Sequence, residues 1–404
     1  MSLTRRGFIG AASATSALFA TASAAKSLTS ADDPLGVRSD FPAVENTLFF
    51  DSAYTSLSPR QAIKAAQDFI AIKAYKPANV PQMIAESELV RQRFAELIGA
   101  EKEEIGLLYA TSDAENIVTR SLNFKSGDNV VIDDLHYRSS YVLYQKLKEK
   151  YGVDVRIVKH IDGTAAPEQF SAMTDSRTRL ISVSWISHYN GYRQDLQALA
   201  DLVHEQGGYL YVDAIQGIGI LDLDVKKIDV DFLASGSYKG LLAGYGVAGF
   251  YVRQDLMAMV EPDRSGWFQA SEALEDHKFN LHQDGRKFQY ATLSFDSVYY
   301  LNACLKYILD VGVEKIERHT VDLAHKLRRG LLRQGFKLNT PAKNASSIVS
   351  FQHGRSGKEV KQSLEAAGVY INISDKQEYL RVGLALYNNK TEIDDFLKLT
   401  ATWR

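Results

Sequence analysis

The sequence contains one cysteine, Cys304, and a single thiol cannot build a disulfide framework. It lies in "YLNACLKYIL", which reads as a helix face with the cysteine as a small core residue. An excess of one charge is also missing. Against 49 Asp plus Glu stand 47 Lys plus Arg, a net charge of −2, so nothing basic argues for nucleic acid. No G-x-G-x-x-G follows the first strand candidate. "GLLAGYG" leads into a strand, the wrong context for dinucleotide binding. Repeats and low-complexity tracts are absent beyond the N-terminal segment, and no metal site is expected. What remains is ordinary globular material, 404 residues that are 45% hydrophobic and 24% charged, enough for a large core. That length suits two or three domains, or one large domain with a smaller partner.

Residues 1–24 read as a targeting segment. "LTRRGFIGAASATSALFATASAAKS" pairs Arg5 and Arg6 with an alanine-rich apolar run of about 14 residues, the length of a signal-peptide core. Ala22-Ser23-Ala24 then offers an A-x-A cleavage pattern. The run is too short for a permanent bilayer anchor. Arg-Arg followed by Phe8 resembles the twin-arginine export signal. That resemblance implies an exported, periplasmic protein without a membrane anchor once the signal is removed. The route carries folded proteins, which suits a tightly held cofactor.

After the signal, short apolar runs alternate with helical patterns. Strand candidates are residues 105–110, 129–133, 154–159, 179–186, 208–214, 231–236 and 247–253. Most lack strict alternation, as expected for strands covered on both faces. Helix candidates fall at 113–122, 139–150 and 194–206; the last has i, i+3, i+4 apolar spacing and ends at Gly207. The alternation predicts an α/β fold with a mostly parallel sheet and helices on both faces. Beyond about residue 294 a long helical stretch, interrupted near Gly312, is followed by "SSIVSFQ", "GKEVKQSLEAAG", "EYLRVGLA" and a final helix from Thr391. This predicts a large domain over 45–300, and a smaller α+β domain from 25–44 and 301–404.

Two of the strand candidates end in chemistry. In "VDAIQGIGILDLDVKKIDVDFLASGSYKG", Asp213 closes one apolar run and Lys239 follows the next. Ligands of open α/β sheets lie beyond the carboxyl ends of the strands. A lysine of ordinary pKa, ~10.4, is a poor nucleophile unless its site lowers that value. Asp213 alone could equally cap a helix, and Lys239 alone could be solvated. Together they suggest pyridoxal 5'-phosphate, which needs a lysine for its Schiff base and an acid to keep its ring nitrogen protonated. Gln216 could then donate to the ring's phenolic oxygen.

"YVDAIQGIG…DVDFLASGSYKGLLAGYGVAGFYV" resembles the class V aminotransferases of the fold-type I enzymes, a family that includes cysteine desulfurases, kynureninase and isopenicillin N epimerase-like proteins. The resemblance runs from about residue 45 to the C-terminus. It implies a fold-type I transferase with Lys239 as the Schiff-base lysine, Asp213 as the pyridinium partner and Gln216 as the ring-oxygen contact. It also implies that Thr111, Ser112 and Asp113, in "YATSDAENIVTRSL", bind the cofactor phosphate at a helix N-terminus. Asp113 is expected to offer only its backbone N–H. Ser237 and Tyr238 resemble further phosphate contacts. In "DDLHYRSS" the ring stacked on the cofactor is His136 or Tyr137, with Tyr137 preferred. Asn190 resembles an asparagine facing cofactor and substrate. In "GRKFQYATLSF", Thr292 matches a threonine that crosses to the partner subunit's phosphate, which implies a homodimer with shared sites. Arg381, in "EYLRVGLALYNNKTEID", would grip the substrate α-carboxylate.

The reaction is less defined. Cysteine desulfurases need a thiol on a loop before the carboxylate-binding arginine, and "AAGVYINISDKQEYLRV" has none. Persulfide-forming desulfuration is therefore not expected. Transamination is the first choice, because it needs nothing beyond Lys239. Epimerisation and C–S or C–C cleavage are alternatives, as is a non-catalytic binding protein of the same fold. The substrate is expected to be a small amino compound, free or peptide-borne. The segment 267–285, with His277 and His282, is expected to form part of its wall.

Overall fold

The structure is a computed structural model that describes residues 32–404, apart from Asp375 and Gln377. The export signal expected over residues 1–24 lies outside the described residues. β1 (Leu48–Phe49), α1 (Arg60–Ile72) and α2 (Val80–Ile98) lead into β2 (Ile105–Leu108). Helices and strands then alternate: α3 (Thr111–Ser121), β3 (Asn129–Asp133), α4 (Arg138–Tyr151), β4 (Asp154–Val158), α5 (Pro167–Ser171), β5 (Thr178–Ser184), α6 (Leu196–His204), β6 (Tyr209–Asp213), α7 (Val225–Ile228), β7 (Phe232–Gly236) and β8 (Ala248–Val252). A hairpin of β9 (Ala270–Ala273) and β10 (Phe279–Leu281) follows. The rest comprises α8 (Phe295–Val311), α9 (Val313–Arg333), β11 (Lys337–Leu338), β12 (Ile348–Gln352), α10 (Gly357–Ala366), β13 (Val369–Tyr370), β14 (Asn372–Ile373), β15 (Tyr379–Gly383) and α11 (Lys390–Ala401).

Seven strands form the main sheet in the order β2-β8-β7-β6-β5-β3-β4. β8 runs antiparallel to both its neighbours and the other pairings are parallel. Alternate residues of a strand face opposite sides. In β6, Leu210 and Val212 join one core while Tyr211 joins the other. In β3, Val131 faces the first core, and Val130 and Ile132 the second. With both faces buried, each strand reads as an unbroken apolar run. Each fully buried Leu or Val contributes on the order of 1.5–3 kcal/mol.

The helices between strands follow from local signals. Asp195 caps α6 by accepting from the Ala198 N–H at 3.1 Å, and Leu199, Ala200 and Val203 are fully buried beneath it. Gly312, at φ +94°, separates α8 from α9 where the sequence predicts an interruption. The C-terminal unit carries a second sheet, β11-β12-β15-β14, and a core of its own. The chain reaches this unit early. β1 pairs with β13, and Asp51 forms an isolated parallel bridge with Gly383 at the end of β15.

Candidate active site

A cavity of about 240 Å³ opens where β2, β6 and β7 end. Its walls include Thr111, Ser112, Tyr137, Asp213, Gln216, Tyr238 and Lys239. Each arrives from a strand's carboxyl end or the loop beyond it, because the parallel strands deliver all these ends to one edge.

Lys239 is 7% exposed, and Asp213 8%. Burial pulls the Lys239 amine down to about 8, opposed by the Asp213 charge, while Arg381 lowers it further. Burial raises the Asp213 carboxyl above the ordinary range, opposed by the Ile215 N–H, which donates to Oδ1 at 3.1 Å, and by the Lys239 charge. Gln216 donates one N–H of Nε2 to the Ala53 carbonyl at 2.8 Å, and the amide nitrogen carries a second N–H. Lys239 Nζ lies 5.7 Å from the Tyr137 ring centroid and 5.8 Å from that of Tyr238.

At the other end of the cavity α3 begins with Thr111 and Ser112, where the first helical N–H groups have no intrahelical partners. The Gly236 N–H donates to Thr111 Oγ1 at 3.0 Å. A Cβ on Gly236 would meet Ile215 Cδ1 at 2.9 Å and Thr111 Oγ1 at 3.3 Å, so a side chain there would displace the Ile215 methyl and crowd this end of the cavity. A buried amine, a buried acid, an aromatic wall and a helix N-terminus form the donor set that pyridoxal phosphate requires.

Several expected residues sit elsewhere. His136 is 1% exposed and does not line the cavity. Its Nδ1 accepts the Tyr137 N–H at 2.7 Å, and Nε2 is 3.0 Å from Ser182 Oγ. Burial pushes its pKa down to about 4, so it is a neutral neighbour of Asp213, and Tyr137 is the ring that faces the cavity. Asn190 spends its whole amide on loop structure: Nδ2 donates to Gly163 O at 2.8 Å and Oδ1 accepts from Tyr192 N at 2.9 Å. His188, two residues earlier, is the side chain of that segment that lines the cavity. Ser237 is fully buried and bonds the carbonyls of Gly244 and Val247, holding the loop around Lys239.

Asp113 accepts the Ala110 N–H at 3.1 Å and pairs with Arg264 at 2.9 Å. Its own N–H donates to Ala110 O at 3.1 Å and is spent within the turn. Thr292 is exposed and outside the cavity of its own chain. The segment 267–285 builds the β9–β10 hairpin and contributes nothing to the cavity wall. Arg381 stands behind the wall: Nη1 donates to the His188 carbonyl at 2.7 Å, and Nε is buried without a partner.

Three groups gave no sequence signal strong enough to single out. Glu115 lines the cavity and accepts from Ser140 and Ser182, both at 2.8 Å. His188 packs edge-on to Tyr137, with centroids 5.2 Å apart, and burial pushes its pKa to about 3. Asp51 is 4% exposed, and its Oδ1 has no hydrogen-bond partner.

Comparison with known proteins identifies a family and a shared fold. The family description "Aminotransferase class-V" matches residues 48–396. An uncharacterized aminotransferase of Bacillus subtilis (strain 168) is 29% identical over 364 residues, covering 89% of this chain and 95% of that protein. A probable cysteine desulfurase of Methanothermobacter thermautotrophicus is 29% identical over 324 residues, covering 78% and 80%. The apo structure of a cysteine desulfurase from Thermococcus onnurineus NA1 shares the fold, with a TM-score of 0.83 at 24% identity over 93% of this chain and 99% of that one.

Proposed function

The chain belongs to the class V aminotransferases, a family of pyridoxal phosphate-dependent enzymes, and from that premise we propose that it moves the amino group of an amino acid to a 2-oxo acid. One observation carries the reading: Lys239, its amine pulled down to about 8, and the buried acid Asp213 share one cavity. When bound, pyridoxal phosphate supplies the electron sink that stabilises negative charge at the substrate α-carbon. Lys239 would hold the cofactor and then move the α-carbon proton. Asp213 would keep the ring nitrogen protonated, and Gln216 would donate to the ring oxygen. Thr111, Ser112 and the start of α3 would hold the phosphate, with Tyr137 against the ring face.

Arg381 would bind the substrate carboxylate. Its buried Nε without a partner supports that role. Arg381→Ala is expected to raise KM for a free amino acid roughly 30-fold or more, the cost of about 2 kcal/mol for an unpaired buried charge. Steady-state kinetics checks this, and an unchanged KM would move the carboxylate site elsewhere.

The desulfurase names among the relatives conflict with the expectation that excluded desulfuration, and they favour one second reading, release of sulfur from cysteine, which here would proceed without a protein thiol. Cys304, the sole cysteine, is fully buried in α8, and burial raises its thiol pKa, so it is not a candidate persulfide carrier. A single-turnover assay separates the reactions. With amino donor and no acceptor, an aminotransferase releases one 2-oxo acid per site and keeps the nitrogen. Cysteine converted to free sulfide would favour the lyase, and loss of configuration without an oxo acid would favour an epimerase.

The functional unit is proposed to be a homodimer in which Thr292 reaches the partner's phosphate site. Export rests on Arg5 and Arg6. Replacing both by lysine is expected to leave the protein in the cytoplasm on fractionation, and continued periplasmic recovery would exclude the twin-arginine route.

A further inference from the structure

The turn after β1 reaches three parts of the site at once. The Ser56 N–H donates to the carbonyl of Tyr238, the residue before Lys239, at 3.0 Å. The Ala53 carbonyl accepts from Gln216. The same turn presses on β15: a Cβ on Gly383 would fall 2.5 Å from Ala53 N and 3.0 Å from Ser52 Oγ. Asp51 opens this turn, its carbonyl accepting the N–H groups of Tyr54 at 2.9 Å and Thr55 at 3.0 Å. Its carboxylate is enclosed with an unsatisfied oxygen, and Arg381, on the strand that Asp51 bridges, has an unsatisfied Nε. Among the described residues no ion pair joins the two. An enclosed carboxylate left this way is costly, because neither water nor a donor replaces its hydration.

We propose that Asp51 is a positioning residue that takes up a proton when a substrate carboxylate engages Arg381, so that the site exchanges one negative charge for another. The proposal rests on the carboxylate-binding role of Arg381. The groups that face Asp51 are Arg381 from β15, Lys239 from the loop after β7 and Tyr387 from the segment before α11. The two cations lower the Asp51 pKa, and burial outweighs them, pushing it up to about 6. At pH 7 the carboxyl is therefore mostly ionised. A carboxylate on Arg381 removes one of the two attractions and adds a like charge, and both effects raise the Asp51 pKa further. A shift of about 1–2 units corresponds to an uptake of about 0.4–0.8 proton per site at pH 7. Affinity for the carboxylate then falls roughly tenfold between pH 6 and pH 8, as the cost of keeping Asp51 protonated grows.

The test is calorimetric titration of the holoenzyme with propionate, which has no amine of its own to titrate. Buffers of different ionisation enthalpy convert the observed heats into protons exchanged. Wild type is expected to take up about 0.4–0.8 proton at pH 7. Asp51→Asn, which mimics the protonated acid, is expected to take up almost none and to bind propionate with an affinity flat from pH 6 to pH 8. Uptake that persists in Asp51→Asn would assign it to another group and overturn the proposal. Should Asp51→Asn fail to fold, the wild-type pH profile still decides: a propionate affinity that does not fall across this range overturns it. Arg381→Ala is the control and is expected to lose propionate binding. Retained binding there would overturn the Arg381 role itself, a distinct result from proton uptake that ignores Asp51.

Discussion

Lys239→Ala is expected to lower turnover by at least about 10⁴-fold, the upper end of what a positioned general acid/base contributes, because the same amine is also proposed to hold the cofactor. The site is shaped for that amine. At the ordinary pKa of ~10.4 only a few parts in ten thousand of a lysine are neutral at pH 7. Burial brings Lys239 down to about 8, where roughly a tenth is neutral. The sign matters: desolvation disfavours the charged form, so activity should climb as pH rises through this range. The substitution deletes the buried amine without touching the hydrogen bonds around it. Ser237 still braces the loop and Ser56 still holds the Tyr238 carbonyl. The variant should therefore fold and retain some cofactor without a covalent link. Steady-state assay with circular dichroism checks both halves, and near-normal turnover in a folded variant would remove Lys239 from the chemistry.

Asp213→Asn is expected to lower kcat by about 10- to 150-fold, which corresponds to losing a charge-assisted hydrogen bond of about 1.5–3 kcal/mol. Asn keeps the shape and can still accept the Ile215 N–H, so packing changes little. What it lacks is the negative charge that holds a proton on the ring nitrogen. Without cofactor the effect on stability runs the other way. A carboxyl whose folded pKa is raised contributes most while protonated, below its unfolded value of ~3.9, and loses that contribution as pH rises. Replacing the carboxyl by an amide, which carries no charge to desolvate, should leave the cofactor-free protein at least as stable as wild type at pH 7. Parallel melting curves and kinetics separate the two effects. A variant that is both unstable and inactive would mean that Asp213 serves the fold.

The sheet could be read from the sequence because its signals are local. β3 occupies the expected residues 129–133, and β6 and β7 lie within the runs that end in Asp213 and Gly236. Apolar side chains on both faces and turn residues at the ends mark such strands without any knowledge of their partners. Lys239, Asp213 and Gln216 were legible for the same reason, since a strand end fixes where its next residues go.

What was not legible depends on contacts distant in sequence. Asn190 and His188 stand two residues apart in one loop. Only the distant carbonyl of Gly163 shows that the asparagine braces the fold while the histidine faces the cavity. The hydroxyl of Ser237, two residues before Lys239, suggests phosphate until the carbonyls of Gly244 and Val247 take it. Asp51 looks like an ordinary acid at the end of "FFD", and nothing before Gly383 and Arg381 reveals what it faces. His136 and Tyr137 were ambiguous because successive residues entering α4 point to opposite sides of the wall.

The most direct test of this account is borohydride reduction of the purified holoenzyme, followed by proteolysis and mass mapping of the peptide that retains the cofactor. The account predicts one phosphopyridoxyl group per chain, attached to the ε-amine of Lys239. Attachment to a different lysine, or no attachment in protein saturated with pyridoxal phosphate, would contradict it.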